Sequence, residues 1–286
     1  MELVVTQGGE KMDFRESTQY DYFNDEAYDE THSTLPNSRS VNWNKSRRGF
    51  SNRSVLGVPE SSNLILDALP ADTLPILAPL LKPVVLRKEQ FIYQEDDRLD
   101  YLYFPVTAVV SEFKILEDGR MVEIAVTGKE GAVGLSSIFS DSHRAMNCTQ
   151  VSQEGIAKRL DAETFEQLLR SNERLRTGLN KFVDLYIKQI SQKAICNMYH
   201  SVKERLCTWL LMVQDRCGRS TLKLTHEQIA RTLGVYRPSI TCIAQELREM
   251  KLINYSRGGI SICNREQVEA SACACYLELG SAVPLT

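Results

Sequence analysis

Apolar positions change their spacing several times along the chain. Residues 1–60 show no repeat, and Ser and Asn are frequent there. Such a segment buries too little to offset its ordering entropy, so a disordered tail is expected. Helical spacing begins at Asn63, with Leu64, Leu66 and Leu69 on one short helix. Asp72 then caps a second, which carries Leu74, Ile76, Leu77, Leu80 and Leu81 and ends at Pro83. From Val84 to Leu160 the period drops to two. Val84–Leu86, Phe91–Tyr93 and Tyr101–Phe104 are short strands between charged turns. Val109, Ser111, Phe113 and Ile115 alternate with Val110, Glu112, Lys114 and Leu116, and Asp118-Gly119 supplies a tight hairpin turn. Val122, Ile124 and Val126 form the expected returning face, and two more strands follow at 147–151 and 155–160. Many short strands at even spacing imply an antiparallel roll.

The helical period returns after Asp161, which caps a helix with Phe165, Leu168 and Leu169. A longer helix runs from about Asn172 to Met198, and its length of about 37 Å exceeds what one small roll needs. Its apolar stripe, with Leu179, Phe182, Val183, Tyr186 and Ile190, is therefore expected to pair with a second copy. Another helix, Ser201 to Val213, ends in Cys217-Gly-Arg-Ser.

The segment 225–247 carries the clearest chemistry. Thr225 and Gln228 have capping-box spacing, Gly234 sits where a turn needs no Cβ, and Pro238 fits the first turn of the next helix. Ala230 is small where two helices approach, and Ile229, Leu233, Val235, Ile240 and Ile243 supply a shared core. This is a helix-turn-helix pattern. With Ile240, Ile243 and Leu247 turned inward, the second helix presents Tyr236, Arg237, Pro238, Ser239, Thr241, Cys242 and Gln245 toward a DNA major groove. Arg237 suits a guanine edge or a phosphate, and Gln245 an adenine or a phosphate. Two short strands around Gly258-Gly259 form a wing with Arg257 at its tip.

Charge sharpens this reading only locally. The whole chain has a formal net charge of −3, which by itself gives no sign of nucleic-acid binding. From Arg219 to Arg265, however, eight Lys/Arg face three Glu, an electrostatic footprint for a phosphate backbone. The tail is divided too. Nine acidic residues precede Thr31, and five basic ones with no acid lie between Asn37 and Pro59. No secretory leader and no membrane-length apolar run is visible, so a cytoplasmic protein with reduced cysteines is expected.

The order of roll, long helix and winged helix-turn-helix resembles the cyclic-AMP receptor protein/FNR (Crp/Fnr) family of bacterial regulators over residues 63–276. The resemblance rests on Tyr101-Leu-Tyr-Phe-Pro, Glu117-Asp-Gly-Arg, Gly128-Lys-Glu-Gly-Ala-Val-Gly-Leu, His200-Ser-Val-Lys-Glu-Arg-Leu, Leu233-Gly-Val-Tyr-Arg-Pro-Ser-Ile-Thr and Ala272-Cys-Ala-Cys-Tyr. It implies an α+β chain with a cyclic-nucleotide-binding-like jelly roll (61–170), a dimerisation helix (171–199), a winged helix-turn-helix (200–276) and a short tail (277–286). It also implies a homodimer on twofold-symmetric double-stranded DNA, with RNA polymerase as a further partner. Three departures matter. The roll turn lacks the Glu that cyclic-nucleotide members carry, and Arg144 lies outside their usual setting. No cysteine precedes Cys148, so the N-terminal iron–sulfur cluster has no ligands. Pro238 and Cys242 replace common recognition-helix residues, so the operator should differ. If an effector binds the roll, Gly131, Gly134, Ser136 and Arg144 are its candidate contacts.

Other chemistry is thinly supported. Cys273 and Cys275 fall on an expected terminal helix capped by Asn264, where an i, i+2 pair diverges, so they read as packing residues. Redox or metal sensing through them is the alternative. The four histidines are too scattered for a catalytic cupin-like centre, and no nucleophile sits beside a base. No enzyme, cofactor or metal is therefore expected. A winged helix that binds protein is the remaining reading, separable by the steep salt dependence of DNA binding.

Overall fold

The computed structural model describes residues 63–67, 69, 71–135, 142–256 and 258–280. The expectations for the tail at 1–60, for Ser136 and for Arg257 lie outside these residues. Two short helices, α1 (Leu64–Asp67) and α2 (Leu74–Leu77), precede seven strands: β1 (Lys82–Leu86), β2 (Phe91–Tyr93), β3 (Tyr101–Pro105), β4 (Val109–Ile115), β5 (Met121–Thr127), β6 (Cys148–Gln153) and β7 (Gly155–Asp161). They form two antiparallel sheets, ordered β1-β7-β3 and β2-β6-β4-β5. Leu86 and Ala157 of the first pack on Val110 and Val151 of the second, so the roll closes around an apolar interior.

One expectation for the roll needs correction. Val122 and Ile124 are only half-buried, while Glu123 and Ala125 are enclosed. The register explains it. Glu112 pairs with Ala125 but Phe113 pairs with Glu123, leaving Ile124 as an extra residue. A bulge of this kind shifts the phase of the side chains beyond it.

Helix α3 (Ala162–Ser171) is capped by Asp161, whose carboxylate accepts the Thr164 amide at 2.9 Å. Helix α4 (Glu173–Tyr199) follows, capped by Asn172 and ended at His200. Helix α5 (Val202–Cys217) begins with a capping box of Ser201 and Glu204 and stops at Gly218, which takes φ 64°. Then come β8 (Thr221–Lys223), α6 (His226–Leu233), α7 (Arg237–Glu249), β9 (Ile253–Ser256), β10 (Gly259–Ile262), α8 (Arg265–Ala270) and α9 (Cys275–Gly280). The sheet β8-β10-β9 is the expected wing.

This head is not held at a distance from the roll. Val109 and Val126 of the roll share one core with Leu206, Leu210, Ile229 and Leu247 of the head. Glu123 bonds Trp209 Nε1 of α5 at 3.1 Å and the Lys193 ammonium of α4. Arg216 of α5 bonds Glu130 at 2.6 Å, both nearly enclosed. Gln189 of α4 takes the place of a strand neighbour, accepting the Val126 amide at 2.9 Å and donating to its carbonyl at 3.0 Å.

Candidate nucleic-acid interface and roll cavity

Helices α6 and α7 meet as the sequence pattern requires. The Thr225 hydroxyl accepts the Gln228 amide at 3.2 Å, and Gln228 Oε1 accepts the Thr225 amide at 2.9 Å. Gly234 ends α6 at φ 65°, a left-handed conformation that favours glycine. Ile229, Leu233, Ile240, Ala244 and Leu247 are buried, with Val235 and Ile243 half-buried beside them. That leaves one side of α7 and its approach bare: Tyr236, Arg237, Pro238, Ser239, Thr241, Cys242 and Gln245 are all exposed. Tyr236 is 85% exposed.

The cations distribute accordingly. Lys223 is paired with Glu154 at 2.6 Å and Arg265 with Asp215 at 2.7 Å. Arg237 and Arg248 on α7 and Lys251 just beyond it have no ion pair among the described residues. Arg219 and Arg231 have none either, so α7 and Lys251 carry part of the positive charge of the head that no ion pair offsets. Two contacts here must rearrange if bases are to be read: Thr241 bonds the Arg237 carbonyl at 3.2 Å, and Gln245 bonds Glu249 at 3.0 Å.

Sequence reading did not single out His226. Its ring packs against that of Tyr255 of β9 at 4.5 Å between centroids, tilted by 45°, and Nδ1 lies 3.1 Å from the Thr241 hydroxyl. It thus links the first helix, the recognition helix and the wing. Burial, with the nearby Arg237 charge, pushes its pKa below 6.5. Only its place at the start of α6 was legible; the ring contact depends on the wing's return.

A second feature lies between the roll and α4. A cavity of about 230 Å³ is walled by Leu99, Ala132, Phe182, Val183 and Ile190, with Glu112, Asn147 and Thr149 as polar groups. The Glu112 carboxyl lies deep in the fold but opens onto this space. It accepts the Tyr186 hydroxyl at 2.6 Å, and burial raises its pKa above the usual 4.5 against the pull of the Tyr186 and Asn147 bonds. No Lys or Arg is among the described residues that line the cavity.

Both segments of the chain that hold these features match known families. Residues 83–172 match the cyclic nucleotide-binding domain family and residues 204–271 the Crp-like helix-turn-helix domain family, together more than half of the chain. The chain belongs to the Crp/Fnr family. Among its relatives is the anaerobic regulatory protein of Bacillus subtilis, 20% identical over 206 residues, covering 70% of this chain and 87% of that protein. The global nitrogen regulator of Nostoc is 23% identical over 194 residues, covering 63% of this chain and 85% of that one. The structure of FixK2 from Bradyrhizobium japonicum superposes with a TM-score of 0.58 at 18% identity, covering 68% of this chain and 98% of that one. The protein is thus a Crp/Fnr-type DNA-binding transcription regulator with a roll, a long helix and a helix-turn-helix. No helix among the described residues is long and apolar enough to cross a membrane.

Several site expectations change in this setting. Arg144 does not face the cavity. It is exposed and bonds the Asp96 carbonyl at 2.7 Å, held by the isolated bridge of its segment to Arg98. Gly131 stands at a close approach: a Cβ there would be 2.6 Å from the Phe182 ring and from Thr127 Cγ2. Gly134 does line the cavity, at φ 91°, where a Cβ would meet the Tyr101 carbonyl at 2.8 Å. The stripe expected to pair with a second copy is divided. Leu179 and Phe182 are buried against their own roll, and Val183 and Tyr186 are half-buried along its cavity. Of the five residues assigned to the seam, Ile190 alone is exposed. The stripe left bare runs through Ile187, Ile190, Ala194 and Met198. Sequence periodicity saw one broad stripe because two adjoining faces of α4 are both apolar.

Proposed function

We propose that the protein acts as a homodimer that reads a twofold-symmetric operator through α7, with Arg237 as the principal base contact. Thr225, Tyr236, Pro238, Ser239, Thr241, Cys242 and Gln245 frame that contact, and Arg257 serves the wing. The observation that carries this reading is the bare polar face of α7, rimmed by unpaired Arg237, Arg248 and Lys251. Dimerisation uses the outward stripe of α4, with Val183 at its upper edge and Ile187, Ile190 and Met198 along it. Action at a promoter beside RNA polymerase, in the cytoplasm, follows from this role. To test it, the full chain is mixed with sheared host DNA and the retained fragments are sequenced. A twofold-symmetric motif is expected. Arg237→Ala should cost about 1–3 kcal/mol at that motif and relax its preference at one position, whereas a uniform loss on all sequences makes Arg237 a phosphate contact. Ile187→Glu with Ile190→Glu should yield monomers in sedimentation; an unchanged dimer places the seam elsewhere.

The roll cavity, in this reading, receives a small uncharged effector with a polar group against Glu112 and Tyr186. An anionic cyclic phosphate is disfavoured there, because the carboxyl faces the space and no cation among the described lining residues offsets it. Cyclic AMP should leave thermal stability and operator affinity unchanged; saturable stabilisation by cyclic AMP overturns this part.

A further inference from the structure

Behind the head, the thiols of Cys196, Cys273 and Cys275 and the ring of His200 gather with every ligand atom within 4.8 Å of the others. The chain brings them from distant places. Cys196 lies in the last turn of α4, His200 caps that helix, Cys273 lies between α8 and α9, and Cys275 is the first residue of α9. The sequence pattern put the last two on one helix, where their side chains would diverge. Asn264 instead caps α8, which ends at Ala270, and Cys273 precedes α9. Both thiols are thereby turned inward, each 4% exposed.

Two of the six edges of the cluster already have the length of one coordination geometry, and the others lie within 4.8 Å. Cys196 Sγ and Cys273 Sγ are 3.8 Å apart, and Cys275 Sγ lies 3.5 Å from His200 Nδ1. A tetrahedral zinc ion, with Zn–S near 2.3 Å and Zn–N of about 2.0–2.1 Å, needs S···S edges of about 3.8 Å and S···N edges of about 3.5–3.6 Å. The outer partners suit thiolates. Gln192 Nε2 donates to Cys275 Sγ at 2.7 Å. The Thr208 hydroxyl accepts the Cys273 amide at 3.2 Å, which leaves its own hydrogen for Cys273 Sγ at 3.0 Å. Arg205 interacts electrostatically with Cys196 and Cys273, and its Nε is enclosed without a hydrogen-bond partner. Three thiolates and one imidazole around Zn²⁺ leave a net charge of −1, which this guanidinium offsets.

We propose that Cys196, His200, Cys273 and Cys275 form a zinc site that fastens the end of α4 to the last helix of the head. On binding, the three thiols release their protons to solvent and no electrons move. Under the operator reading given above, the ion also fixes how the head is carried on α4; the site itself does not depend on that reading.

The test uses the full chain, purified under reducing conditions without chelator. Elemental analysis should find one zinc per chain. Stripped protein titrated with Co²⁺ should take up one ion and develop the intense visible bands of tetrahedral cobalt with thiolate-to-cobalt charge transfer. Cys275→Ser and His200→Gln should each weaken zinc binding more than about 100-fold, and Gln192→Leu about 10–100-fold. Cys263→Ser, an exposed thiol outside the cluster, should change nothing. The cobalt spectrum of the unaltered chain decides the matter even where a variant misfolds. A chain that binds neither ion, cobalt bands that persist in Cys275→Ser, an iron–sulfur chromophore, or a Cys196–Cys273 disulfide in protein from cells would each overturn the proposal. Metal content is read without DNA, so failure of the operator reading and failure of the zinc site are separate results.

Discussion

Glu112 on β4 and Glu123 on β5 enter the same strand pair on either side of its bulge and meet opposite surroundings. Glu123 is wholly enclosed, and every partner it needs is supplied: the Lys193 ammonium, the Trp209 indole N–H and the Ser111 hydroxyl at 2.6 Å. Those partners come from α4, α5 and β4, so one carboxylate ties roll, long helix and head together. Glu112 has hydroxyl and amide partners but no cation, and its carboxyl faces a cavity. The difference separates two uses of an inward acid. A charge matched by a buried cation holds elements in place, while an unmatched carboxyl beside open space is available to a ligand.

The largest effect should come from breaking the matched side. Glu123→Ala strands the Lys193 ammonium and the Trp209 N–H and should cost about 3–5 kcal/mol in denaturant unfolding, as should Lys193→Met alone. The double variant Glu123→Met with Lys193→Met removes both charges and should recover most of that loss. If each single variant costs under about 1 kcal/mol, on the scale of an exposed pair, Glu123 does not carry the assembly.

A smaller effect is expected at the cavity. Tyr186→Phe removes the hydroxyl that Glu112 accepts and should destabilise by about 1–2 kcal/mol. It should weaken any effector that uses this pocket by a larger factor than it weakens folding. Equal losses would make Tyr186 a packing residue only.

The same comparison shows what the sequence could disclose. The helix-turn-helix was legible because its determinants are local: a capping box at Thr225 and Gln228, Gly234, Pro238 and a core spacing of three and four, all within about two dozen positions. The roll was legible as alternation up to the bulge, where one extra residue reversed the expected faces of Val122 and Glu123. The inner stripe of α4 was legible as apolar, but periodicity does not say whether a second copy or the chain's own roll covers it. Leu179 and Phe182 went to the roll. The cavity and the thiol cluster were not legible. Glu112 and Tyr186 stand 74 positions apart and Cys196 and Cys273 77, and nothing local marks either pair as neighbours.

The finest test is the pH dependence of the two acids when each becomes glutamine. Burial raises the Glu112 pKa above 4.5, so the native chain holds this proton to a higher pH than the unfolded chain does. Between 4.5 and the raised native value the native state binds more protons, and its stability therefore falls as pH rises through that window. Above the window the penalty is constant. Glu112→Gln keeps an oxygen for the Tyr186 hydroxyl and carries no charge, so it should match the parent below pH 4.5 and become the more stable chain as pH rises. At Glu123 the identical substitution should have the opposite sign at neutral pH, because Lys193 loses its counter-charge. Urea midpoints of the parent and both variants from pH 4 to 8 measure this directly. A loss of stability in Glu112→Gln at neutral pH would mean that the cavity carboxyl is as fully matched as its neighbour, and the two acids would then have one role.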